Sequence, residues 1–173
     1  MDCMQNQKIS KDFNKKRIVI ATHYLVYGAA HALLDFLNKN KTNYVQFIAH
    51  PLNKDTDGGA HIEIYKHGDL IKRKVIDDSY RESILNYLKV IYLNLRYSLK
   101  KETDIFIGVN CLNAICGIVL KKCGFTKKTI FYTIDFSLKR FDNFFLNWIY
   151  HNLDYYCVKY ADEIWDVSPR IYE

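Results

Sequence analysis

Five short apolar runs, each bounded by charge or polar residues, divide the chain: "RIVIATHY" from Arg17, "YVQFIAH" from Tyr44, "DIFIGVN" from Asp104, "KTIFYTID" from Lys128 and "EIWDVS" from Glu163. Runs of this length without alternation are what strands covered on both faces look like. Between them lie segments of helical period. "GAAHALLDFLNKN" repeats apolar residues at Ala29, Ala32, Leu33, Phe36 and Leu37. "SYRESILNYLKVIYLNLRYSLKK" carries a stripe of Ile84, Leu85, Leu88, Ile91, Tyr92, Leu95 and Leu99, opened by Ser79 with Glu82 three residues on, the pattern of a capping box. "CLNAICGIVLKKCGF" reads as a buried helix ending at Gly124. "RFDNFFLNWIYHNLDYYCVKYA" reads as a long helix with Phe141, Phe145, Trp148, Asn152 and Tyr155 or Tyr156 facing inward. "HIEIYKHGDLIKRKVI" alternates on either side of Gly68-Asp69, as a hairpin does, and "PLNKDTDGGAH" before it is a loop.

Strands alternating with helices of crossover length predict an α/β fold: a Rossmann-like open, mostly parallel sheet of about five strands, helices on both faces, and an inserted hairpin. Residues 1–16 form a polar leader, and 17–173 form one domain.

Composition narrows this little. The 173 residues carry 25 Lys and Arg against 19 Asp and Glu, a net charge of +6 that suits an anionic ligand or membrane surface. No nucleic-acid-binding signature accompanies it. Five cysteines without a CxxC pair make zinc and redox motifs poor explanations. An odd count with no secretory segment points to a reducing cytosol, and no apolar run is long enough to span a bilayer. Lys139 and Arg140 beside Phe141, Phe144, Phe145 and Trp148 suit a peripheral membrane contact, although the helical period assigns most of those rings to the core.

Open α/β sheets bind ligands beyond the carboxyl ends of their strands. That rule selects His23 and Gly28 to His31 after the first strand, His50 after the second, Asn110 and Asn113 after the third, and Asp135 after the fourth. Gly28, Ala29 and Ala30 open a helix, where backbone amides and the helix dipole favour an anion; they equally suit a tight, closely packed turn. The GxGxxG fingerprint is absent, so a dinucleotide cofactor is not expected. Asp135 ends an apolar strand, where a carboxylate must be solvated, paired or functional. Asn110 is placed to cap the helix that follows it.

"RIVIATHYLVYGAAHALLDFL", "DIFIGVNCLNAICGIVLKKCG" and "KTIFYTIDFSLKRFDNFFLNWIYHNLDYYCVKYADEIWDVS" together resemble the N-terminal domain of family-4-type glycosyltransferases with the GT-B fold, from about Arg17 onward. In such enzymes two Rossmann-like domains face each other, the first holding the acceptor and the second the nucleotide sugar. The resemblance implies no cofactor beyond the nucleotide-sugar donor and no metal. It places the donor-diphosphate loop at Tyr27, Gly28, Ala29 and Ala30, where the family more often has a Gly-Gly pair. It implies acceptor binding by His31, His50, Asn110 and Asn113, and catalytic roles for His23 and Asp135; the family's usual His after the fourth strand is replaced here by Thr133-Ile134-Asp135. The implied partners are a glycan or lipid acceptor and a C-terminal GT-B domain or partner subunit. The chain ends as "VSPRIYE" opens a helix, which leads to the expectation of a fragment. The alternative is a non-catalytic Rossmann-like binding or membrane-docking subunit.

Overall fold

The computed structural model describes residues 13, 15–24, 28–51, 59–76, 84–134 and 137–167. One seven-stranded sheet organises them, in the order β4-β3-β2-β1-β5-β6-β7. The strands are β1 (Arg17–Tyr24), β2 (Tyr44–Pro51), β3 (Ala60–Lys66), β4 (Asp69–Ile76), β5 (Thr103–Val109), β6 (Thr126–Thr133) and β7 (Glu163–Asp166). The five apolar runs are the five strands β2, β1, β5, β6 and β7, each parallel to its neighbour. The hairpin β3–β4 adds antiparallel to β2, with Ile48 opposite Ile62. His67 and Gly68 both have positive φ, the geometry that closes a two-residue hairpin without splaying its strands.

Four helices cover the sheet: α1 (Ala29–Lys39), α2 (Ile84–Ser98), α3 (Cys111–Lys122) and α4 (Phe144–Tyr160). The core divides accordingly. Ile18, Ile20, Val45, Phe47, Ile105 and Ile107 meet Ala30, Leu34 and Leu37 of α1 on one face. Val19, Ala21, Ile48 and Phe106 meet Cys116 and Leu120 of α3, with Ile91 and Leu95 of α2, on the other. Two glycines let α3 lie close to the sheet. A Cβ on Gly108 would stand 2.3 Å from the backbone of Ala114, and one on Gly117 would stand 2.4 Å from the Phe106 ring.

Two helix faces differ from the sequence pattern. In α4 the residues turned inward are Tyr150, Leu153, Tyr156 and Cys157, while Phe144, Phe145, Trp148 and Tyr155 face solvent, Phe144 at 85% exposure. The helix starts at Phe144 rather than at Arg140, because Asn143 caps it, accepting hydrogen bonds from the amides of Phe145 and Leu146. In α2 the deepest residues are Val90, Leu93, Asn94 and Ser98, whereas Leu85, Leu88 and Tyr92, with Leu99 just past its end, are exposed. Both helices are apolar nearly all round, so periodicity alone cannot select the buried face. The expected cap at Ser79 and Glu82 lies outside the described residues.

Candidate active site at the strand switch

The chain runs from β1 outward to β2, then returns to place β5 on the other side of β1. The carboxyl ends of β1 and β5 therefore flank the point where strand order reverses, the usual crevice for a ligand in such sheets. His23 stands at the end of β1 and Asn110 directly after β5.

A chain of polar side chains crosses this point. Asn113 Nδ2 lies 3.0 Å from His23 Nδ1 and donates to the Val109 carbonyl at 2.8 Å. Asn94 Nδ2 donates to Asn113 Oδ1 at 2.8 Å, and His50 Nε2 lies 2.8 Å from Asn94 Oδ1. A carbonyl can only accept, so Val109 fixes the amide orientation of Asn113. Asn113 Nδ2 must then donate to His23 Nδ1, which leaves the His23 proton on Nε2. The same logic orients Asn94 and places the His50 proton on Nε2. Four elements, β1, β2, α2 and α3, are joined through this one network, which satisfies buried amides that would otherwise be costly.

Burial, reinforced by the repulsion a protonated His23 would meet from a protonated His50 and from Arg140, lowers the His23 pKa to about 3. Burial lowers His50 to about 4, against the raising effect of its bond to Asn94, with His61 lowering it further. Both imidazoles are neutral at physiological pH, 5.8 Å apart between ring centres. His23 thus offers an N–H donor at Nε2 rather than a basic nitrogen, an arrangement suited to donating a hydrogen bond and not to taking up a proton.

Beside His23 is a cavity of about 140 Å³, walled by Asn110, Cys111, Thr133, Arg140, Tyr150 and Asp154 among others. Arg140 is held there by α4: Asn147 Oδ1 accepts from the amides of Arg140 and Phe141, both at 2.9 Å, and His151 Nε2 lies 3.0 Å from the Leu138 carbonyl. Burial raises the pKa of the Asp154 carboxyl, with His151 partly opposing it. Asn110 takes φ +67°, ψ 159° at the start of α3 and makes no side-chain cap; its carbonyl accepts from the amides of Asn113 and Ala114. For a residue other than glycine such a conformation costs about 1–3 kcal/mol and is concentrated at functional sites.

The structure brings His23, Asn110 and Asn113 together and draws His50 in behind them. Asn113 is fully buried and His50 is 1% exposed, so both serve the network from within. Gly28 caps α1 in extended conformation, and its N–H donates to His31 Nδ1 at 3.4 Å, which occupies one of the amides expected for a phosphate. Ala29 is half-buried and Ala30 buried. His31 packs against Phe47 at 5.3 Å, turned toward the α1 face of the sheet. Tyr27 and Asp135 lie outside the described residues.

Sequence reasoning missed Asn94, Asp154 and the cavity role of Arg140. Asp154 had a signal: it is the one charge among Tyr150, Leu153 and Cys157 on the buried stripe of α4. Asn94 likewise interrupts an apolar helix face. Cys111 and Cys116 are buried thiols whose pKa burial pushes up to about 12, and burial raises Cys157 as well, so none is poised as a nucleophile. Among the described residues no three His, Cys, Asp or Glu side chains group to hold a metal, and no helix is long and apolar enough to cross a membrane. Compared with known proteins, the chain matches no family model and no curated sequence.

Proposed function

We propose that this chain forms the acceptor-side domain of a glycosyltransferase that moves a sugar from a nucleotide-sugar donor to an acceptor hydroxyl. The observation that carries the proposal is the cavity at the strand switch, with an N–H donor on His23, a guanidinium on Arg140 and a carboxyl on Asp154. At about 140 Å³ it is smaller than the ~300–1,000 Å³ that encloses a whole small ligand, so it suits one wall of a shared cleft. A donor-binding domain, in the same polypeptide or in a partner subunit, supplies the other wall. In this reading His23 Nε2–H positions the acceptor, Asp154 or Asp135 takes its proton, and Arg140 faces negative charge that develops on the leaving diphosphate. The chemistry asks for no metal where fixed cations and amides do that work.

The test is incorporation of labelled sugar from a panel of nucleotide sugars into lipid and glycan acceptors, using the protein purified from its own cells with any chain that accompanies it. Transfer that falls about a hundredfold or more in His23→Ala and Asp154→Asn supports the proposal. Absence of transfer from every donor, or transfer indifferent to both changes, overturns it.

A second reading, a membrane-docking subunit, is favoured by one observation: Leu138, Phe144, Phe145 and Trp148 are exposed together next to Lys139. Co-sedimentation with anionic vesicles that is lost in Phe144→Ser/Phe145→Ser distinguishes it.

A further inference from the structure

At the opposite end of the sheet a larger cleft of about 410 Å³ lies between the hairpin β3–β4 and the last turn of α2. Arg17, Lys66, Lys72, Lys74, Lys100 and Lys101 surround it, and among the described residues no acidic side chain lines it. None of the six pairs with a described carboxylate. Six cations around one cavity are a dense cluster for a chain whose net charge is +6. Like charges so placed repel one another, and two tyrosines only soften the repulsion: Arg17 lies over the Tyr44 ring at 3.9 Å, and Lys74 and Lys100 over Tyr97 at 5.5 and 5.1 Å. The floor is apolar, formed by Val19, Ile62 and Ile64.

An independent feature marks the same place. Ser98 lines the cleft, is 3% exposed, and its hydroxyl has no hydrogen-bond partner among the described residues. Buried hydroxyls are nearly always paired, and this unpaired one belongs to a residue of the cleft wall.

We propose that this cleft binds a small molecule bearing at least two phosphoryl groups, with Ser98 donating to a phosphoryl oxygen. Lysine ammonium groups are compact charges suited to phosphate, and two groups of about −1.5 to −2 each offset about half to two-thirds of the charge of the six cations. The volume is that of a small-molecule pocket, which an extended nucleic acid does not require. The site is separate from the strand switch: Arg17 begins β1 and His23 lies near its end, about 20 Å away at the rise of a strand.

Titration calorimetry with inorganic pyrophosphate and tripolyphosphate at constant ionic strength tests the proposal, beside flotation with phosphatidylcholine vesicles with and without phosphatidic acid. Saturable binding is expected, weakened about tenfold or more in Lys74→Glu and far less in Lys159→Glu, which makes the same charge change on α4. Ser98→Ala weakens it about tenfold while leaving the ligand-free melting temperature equal or higher, since the variant removes an unpaired buried hydroxyl. Pyrophosphate binding without a vesicle response assigns the site to a soluble ligand; vesicle binding that Lys74→Glu abolishes assigns it to a lipid headgroup. Binding of neither probe, equal weakening by Lys159→Glu, or unchanged affinity in Ser98→Ala overturns the proposal.

Discussion

Val109 contributes no side chain to the cavity, yet its carbonyl decides which way four polar side chains point. Asn113 follows it, then His23 on one side and Asn94 and His50 on the other. The two imidazoles are held neutral, and that has a stability consequence. Each has a folded pKa below the ~6.5 of the unfolded chain, so the unfolded state binds more protons as the medium turns acid. Their contribution is complete above about pH 6.5 and is lost as pH falls toward about 4 for His50 and about 3 for His23. The slope reaches about 1.4 kcal/mol per pH unit for each histidine. Urea unfolding between about pH 7.5 and about pH 5 is expected to show falling stability, and His50→Gln, which keeps a donor for Asn94, is expected to flatten the slope. At this scale the sequence was legible for His23, Asn110 and Asn113, because the strand-end rule names them. It was not legible for Asn94, which reaches the site from a distant helix through a side-chain contact that no local pattern encodes.

Among the elements, all five apolar runs became strands and the hairpin turned where glycine allowed, since length, charge boundaries and turn chemistry are local signals. Helix faces were harder. Trp148 and Cys157 lie on one helix that is apolar on most sides, and only the position of α3 decides that the small thiol goes in and the large ring stays out. Trp148→Ala is therefore expected to cost less than about 0.5 kcal/mol and Cys157→Leu about 1–3 kcal/mol by overpacking, the reverse of what ring size suggests. Chemical denaturation of the two variants checks this. The contact between α3 and β5 is stricter. In Gly108→Ala the added methyl meets backbone, which cannot swing aside, so a loss of about 3 kcal/mol or more is expected, with the His23 environment perturbed in the same NMR spectrum.

For the whole molecule, the distribution of charge matters more than its total. Surface ion pairs such as Lys127–Asp104 and Lys121–Asp162 weaken as salt rises, whereas repulsion within the basic cleft is relieved. With six cations in one place and no described carboxylate paired with any of them, relief is expected to win. Melting temperature should rise between low salt and about 0.5 M NaCl, where screening shortens to roughly 4 Å, and Lys74→Met should raise it at low salt alone. A fall on adding salt would show the ion pairs to dominate. Composition disclosed the excess charge but not this cluster, because Arg17, Lys72 and Lys100 come from three remote stretches that only the sheet order unites.

The close seating of α3 on Gly108 also constrains how this fold can diversify. Its inner wall is locked, since changing Asn113 disturbs amides on α2 and rings on two strands at once. The outer wall is made by Tyr87, Phe141 and Tyr150, three aromatics from separate segments, with Phe141 packed edge to face against both tyrosines. A descendant that adopts a different occupant is therefore expected to rewrite those three residues first and leave the glycine and both asparagines as they stand.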